Sequence, residues 1–205
     1  MPQQPMIVGK PALIVVDIQQ GSDLPYETVG IAHMAGARER IARVEKLLAA
    51  AREAHLPVIF FQEVHRRSGV DFGRELDGTE GVHCLEGDAS TDLWPTLRPT
   101  PDEHHIVKRR YSGFIGTEFE ILLRGLGVQT LILVGGLTDV CVHYTFADGH
   151  QRDFHVRVVE DCVGGSSHAA HDASLNAMEY LQAGARRTCD EVIHELQGAL
   201  VGASA

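Results

Sequence analysis

The stretch "LILVGGLTDVCVHYTFADGHQRDF", residues 131–154, runs from an apolar segment into two glycines, then through a short polar step to a cysteine. An apolar run of strand length that ends in glycine and gives way to helical spacing marks a strand-to-helix turn. The same alternation recurs along the chain. Short, largely apolar and β-branched runs stand at "PALIVVDI" (11–18), "LPVIFFQEV" (56–64), "HHIVK" (104–108), "QTLILVGG" (129–136), "FHVRVVED" (154–161) and "TCDEVIHE" (188–195), and each reads as a strand. Between them, Ile41, Val44, Leu47, Leu48 and Ala51 repeat at helical spacing. Phe119, Leu122, Leu123 and Leu126 do so before Gly127, and Leu175, Met178 and Leu181 before Gly184.

Alternating strands and helices predict a parallel sheet covered on both faces, because a parallel pair needs a crossover and a helix provides it. The expectation is a three-layer α/β/α fold with a mostly parallel six-stranded sheet, formed by residues 1–205 as a single domain. The segment 65–103 is irregular and rich in glycine and proline, and a connection of that length is expected to form part of an active-site wall.

Composition narrows the function. The 205 residues are 44% hydrophobic with a net charge of −10, which speaks against a nucleic-acid or anionic-membrane surface and for a small-molecule partner. No apolar run approaches the roughly 20 residues of a membrane span, and "MPQQPMIVGK" has no signal-peptide hydrophobic region, so a cytoplasmic protein is expected. Cys84, Cys141, Cys162 and Cys189 are widely spaced without a CxxC pair, the pattern of free thiols. A dinucleotide module would need G-x-G-x-x-G after the first strand, where this chain has "DIQQGSD".

In open parallel sheets ligands bind beyond the carboxyl ends of the strands. Asp17 ends the first run, Lys108 the third, and Cys141 follows the fourth in a first helical turn for which Thr138 reads as the N-cap. Singly, each has an ordinary explanation: a helix-capping acid, a solvated lysine, a small core thiol. Together they form a chemistry. A helix N-terminus and a nearby Lys favour thiolate, and Asp can take the proton.

"ALIVVDIQ", "KRRYSGFIGTEFEILLRGLGVQTLILVGGLTDVCV" and "VVEDCVGGSS" resemble the isochorismatase-like cysteine hydrolases, the group of nicotinamidase, N-carbamoylsarcosine amidohydrolase, biuret hydrolase and ureidoacrylate hydrolase. The resemblance implies a triad of Asp17, Lys108 and Cys141 and a cis peptide between Gly136 and Leu137, with the Leu137 and Cys141 amides receiving an oxyanion. It implies thiolate attack on an amide or ureido carbonyl, a thioester intermediate and release of ammonia. The nucleophilic Cys141 favours C–N cleavage over vinyl-ether hydrolysis. Tyr111, Phe114 and Glu63 are candidate substrate-binding residues, and Arg109 or Arg110 a candidate partner for a substrate carboxylate. The segments "QEVHRRSGVDFG" and "GVHCLEG" resemble those in which nicotinamidases hold a metal, which would map onto Glu63, His65 and His83. The departure is Glu in place of Asp. No cofactor is expected to be required, with a divalent metal and nicotinamidase-type activity as the alternative. A non-catalytic interaction protein on the same fold is a remote one, and a homo-oligomer is expected.

Overall fold

The computed structural model describes residues 5–203. Six parallel strands, β1 (Lys10–Val16), β2 (Val58–Glu63), β3 (His104–Lys108), β4 (Val128–Gly136), β5 (His155–Gly164) and β6 (Arg186–Arg187), form one sheet in the order β3-β2-β1-β4-β5-β6. Helices α1 (Tyr26–Val29), α2 (Ala37–Glu53), α3 (Phe119–Leu126), α4 (His143–His150), α5 (His168–Leu181) and α6 (Cys189–Ala203) complete the three layers.

The two-residue period of the central strands builds both faces. In β1, Ile14 and Val16 point into one core with Phe119, Leu123, Val142, Phe146, Leu175 and Met178. Leu13 and Val15 point into the other with Ile41, Val44, Leu47, Leu48, Val192 and Leu196. Because both faces are covered, β1 reads as a continuous apolar run rather than as an alternation. Phe60 and Phe61, adjacent in β2, are fully buried on opposite sides, and each such side chain contributes about 1.5–3 kcal/mol relative to exposure.

Three local expectations are corrected. Residues 188–195 are not a strand: the chain enters α6 at Cys189, and the last strand is Arg186–Arg187. Cys189, Val192 and Leu196 are buried at helical spacing, and this periodicity overrides the β-branched character of the segment. Thr138 does not cap a helix; its hydroxyl lies 2.9 Å from His171 Nδ1. Leu181, although in phase with Met178, ends α5 at the surface.

Candidate active site

The sheet order places three strand ends side by side. Lys108 closes β3 and Glu63 closes β2, and the two are register partners. Asp17 follows β1, its N–H donating to Phe61 O at 3.2 Å. At Asp17 φ is +49°, a left-handed turn that Asp tolerates better than most residues and that takes the chain out of the sheet. Gln19 then locks the neighbouring strand: its side-chain amide donates to Glu63 O at 3.0 Å and to Thr91 O at 2.7 Å, and its oxygen accepts from Glu63 N–H at 3.1 Å. Gln19 was not singled out by sequence reading, because a glutamine after a strand carries no signature of burial.

The side chains converge on one ammonium. Lys108 Nζ lies 2.7 Å from Asp17 Oδ2, 3.5 Å from Glu63 Oε2 and 3.4 Å from Cys141 Sγ, and Lys108 is 1% exposed. Burial works against its charge, but Asp17, Cys141 and Glu63 more than offset it, so the ammonium is held well above the ordinary lysine range. Cys141 Sγ lies 3.6 Å from Glu63 Oε2, and the ligating atoms of Asp17, Glu63 and Cys141 are all within 4.8 Å of one another.

The two carboxylates differ. Burial raises Asp17 to about 6, with Lys108 opposing and the Glu63 charge reinforcing the rise. Burial also acts to raise Glu63, but Lys108, His65 and His83 overcome it and hold the group well below the usual carboxylate range. The Cys141 thiol is pushed well above its ordinary value by burial, with Lys108 opposing and Glu63 and Asp17 adding to the rise. Burial beside two acids thus outweighs the single cation and raises the thiol in this arrangement.

β4 delivers the sulfur. Gly135 has φ of +112°, and a Cβ there would stand 2.0 Å from Val16 O, so this position requires glycine. The Gly136–Leu137 peptide is cis. A π-helical turn, Thr138–Val142, follows, in which Leu137 O accepts from Val140 N–H and Val142 N–H, both at 3.1 Å. The Cys141 amide lies between these donors and is not one of them. Asp139 anchors the turn by accepting from Ser166 N–H at 2.8 Å and from the Ser166 hydroxyl at 2.5 Å.

A pocket opens over the thiol, lined among others by Leu137, Tyr111, Glu80, His83, Cys84 and Arg40. The segment 65–103 does form part of this wall through Glu80, His83, Cys84 and Ser90. Tyr111 donates to Glu80 Oε2 at 2.8 Å, and burial with the nearby acid pushes its phenol up. Phe114 is not in the wall, which corrects its candidacy for substrate binding. It is 8% exposed and packs against Phe119, with ring centroids 4.7 Å apart, in the core beneath α3. Arg109 and Arg110 are likewise committed elsewhere, to the Asp71 carboxylate at 2.8 Å and the Asp71 carbonyl at 2.7 Å. The arginine that does reach the pocket, Arg40, reads in sequence as one more charge on a helix.

The histidine cluster is real. His65 Nε2 lies 3.3 Å and His83 Nε2 3.8 Å from Glu63 Oε1, and one ligating atom from each of the three residues falls within 4.8 Å of the others. Glu75 Oε1, buried without a hydrogen-bond partner, is 3.7 Å from His65 Nε2. Two imidazoles and a carboxylate, with an under-satisfied acid beside one imidazole, fit a divalent cation of the zinc, manganese or iron type, which Glu63, His65 and His83 would hold.

Residues 11–191 match the isochorismatase domain family. A ureidoacrylate amidohydrolase, RutB, from Pseudomonas syringae pv. syringae is 31% identical over 175 residues, covering 75% of this chain and 70% of the relative. A cysteine hydrolase structure from Pseudomonas syringae pv. phaseolicola is similar with a TM-score of 0.85 at 28% identity, covering 97% of this chain and 99% of that one. An N-carbamoylsarcosine amidase structure from Thermoplasma acidophilum gives a TM-score of 0.72 at 26% identity, covering 88% and 97%. The fold and the site at its strand ends define a parallel α/β hydrolase. The chain belongs to the isochorismatase domain family.

Proposed function

We propose that this hydrolase cleaves a C–N bond of a small amide or ureido substrate with Cys141 as nucleophile, releasing ammonia. The observation that carries the reading is the placement of Lys108 Nζ between Asp17 Oδ2 at 2.7 Å and Cys141 Sγ at 3.4 Å. The Cys141 thiol passes its proton to Asp17, and the sulfur forms a bond to the substrate carbonyl carbon as the C=O electrons move to oxygen. Of the two nearby acids, Asp17 is the fitting base: a carboxyl with a pKa of about 6 both accepts and returns a proton near neutral pH, whereas Glu63 is held too acidic to do so. Lys108 keeps its charge throughout and compensates the developing thiolate. The amides of Leu137 and Cys141 receive the oxyanion, typically worth about 3 kcal/mol per donor. Collapse breaks the C–N bond, the leaving nitrogen takes the proton from Asp17, and water hydrolyses the acyl- or carbamoyl-thioester.

The names of the relatives, ureidoacrylate amidohydrolase and N-carbamoylsarcosine amidase, favour the ureido class. An ammonia-release screen over biuret, N-carbamoyl amino acids, ureidoacrylate, maleamate and nicotinamide tests this, together with mass spectrometry of the trapped adduct. The expected result is a ureido compound as best substrate and an adduct on Cys141. Full turnover by Cys141→Ala overturns the mechanism.

A second reading rests on the Glu63, His65 and His83 cluster. A cation held there would offer a Lewis-acidic contact for a ring nitrogen, as a nicotinamide-type substrate needs. In that case nicotinamide leads the screen.

A further inference from the structure

Arg40, in the first part of α2, lines the same pocket as Cys141. Its guanidinium lies against the end of β5: a Cβ at Gly164 would stand 2.5 Å from Arg40 Nε and 2.8 Å from Cζ. Glycine at 164 is therefore what admits the side chain. Gly164 is the register partner of Gly136, whose peptide bond to Leu137 is cis, and adjacent strands stand about 4.8 Å apart. The cation thus borders the pocket on its β5 side, with β4 between it and the strand that leads to Asp17.

Its partners are neutral. Arg40 Nη1 donates to Ala35 O at 2.7 Å and Nη2 to Met34 O at 3.0 Å, which leaves Nε without a protein acceptor among the described residues. Among those residues Arg40 forms no ion pair, although Glu39 and Arg43 on its own helix act on it electrostatically. Other half-buried arginines are paired, Arg109 with Asp71 at 2.8 Å and Arg186 with Glu160 at 2.8 Å. Arg157, fully buried, is likewise held by neutral acceptors, but of the two only Arg40 lines the pocket. The acids of the pocket, Asp17, Glu63 and Glu80, belong to its catalytic end and its loop wall. They suit ureido N–H donors and repel an anion. The pocket is polarised, and a ligand with N–H groups at one end and negative charge at the other matches it.

We propose that Arg40 is a specificity-determining residue that anchors a carboxylate on the substrate, so that the enzyme selects short carbamoylated acids over neutral ureas and amides. This rests on the amidohydrolase reading of the Cys141 site. A guanidinium offers a carboxylate a planar pair of donors, which a lysine in the same place does not.

The test compares N-carbamoylglycine with N-carbamoylglycinamide, which differ in charge and hardly in shape. Wild-type kcat/KM is expected to favour the acid by about 10- to 100-fold, mostly through KM, the range for a hydrogen bond to a charged group. In Arg40→Met the ratio falls towards one, and Arg40→Lys restores part of it. Calorimetry on Cys141→Ala, with and without Arg40→Met, measures the same preference without turnover, and thermal denaturation checks that each variant is folded. An acid that binds Cys141→Ala more tightly than the amide, yet is not hydrolysed by the wild type, upholds the anchor and sinks the amidohydrolase reading. Turnover of both compounds with no preference sinks the anchor and leaves the hydrolase. Equal losses on acid and amide in Arg40→Met reduce Arg40 to a support for the Met34–Ala35 loop and overturn the proposal.

Discussion

Asp17 and Glu63, two buried carboxylates at adjacent strand ends, share the single ammonium of Lys108 at 2.7 and 3.5 Å. One positive charge does not compensate two negative ones at full strength, so their proton affinities separate. Glu63 takes the further support of His65 and His83 and is held well below the usual carboxylate range, and Asp17 is left raised to about 6.

A base must be unprotonated to act, so kcat/KM should fall as pH drops through about 6, the value of Asp17. The Glu63 charge is one of the causes that raise Asp17, so Glu63→Gln should move this acid limb to lower pH. A limb that stays in place or moves upward in Glu63→Gln would assign it to another group.

Cys141→Ala and Asp17→Asn should each abolish nearly all turnover, and the double variant should be little worse than either, because nucleophile and base act as one unit. Multiplicative losses in single-turnover assays would show that the two act independently.

Lys108→Met removes the cation from beneath two buried acids. The expected cost is about 3–5 kcal/mol in denaturant unfolding, the range for breaking a buried pair, with part recovered when Glu63→Gln is added. A Lys108→Met variant as stable as the wild type would mean that water reaches these groups.

Tyr111 and Phe114 should separate cleanly. Phe114→Ala opens the core beneath α3 and should cost about 3–5 kcal/mol of stability. Tyr111→Phe removes only the donor to Glu80 and should raise KM with little change in Tm. A Phe114→Ala enzyme of normal stability with a raised KM would return Phe114 to the pocket wall.

Elemental analysis of untagged protein, followed by assay before and after a chelator, addresses the Glu63, His65 and His83 cluster. Ureido turnover should survive chelation, since nucleophile, base and oxyanion donors are all protein groups. Activity lost with the metal, and lost again in His83→Ala, would favour the second functional reading.

The layered fold and the three converging residues are legible in sequence because both follow from strand ends. An apolar run that stops at an acid, a lysine or a glycine-led turn shows where a parallel strand meets solvent. The last strand was not legible. Arg186 and Arg187 are two charged residues without periodicity, and the neighbouring 188–195 segment has the β-branched look of a strand although α6, which starts in it, buries Cys189, Val192 and Leu196 at helical intervals. Arg40 was hidden for another reason. In "ARERIARVEKLL" its type and spacing match a solvated helix face, and the room it finds beside Gly164, more than a hundred residues away, leaves no trace there. Phe114 shows the converse: an aromatic beside the site in sequence turns back into the core in space.

β3, which carries Lys108, lies at the rim of the sheet and, among the described residues, pairs with β2 alone, while the strands that lead to Asp17 and Cys141 are interior. Rim strands are released by local openings well below the global unfolding free energy. Mild denaturant should therefore silence the enzyme while its circular dichroism is still native, with exchange at the 104–108 amides preceding that of β1 and β4.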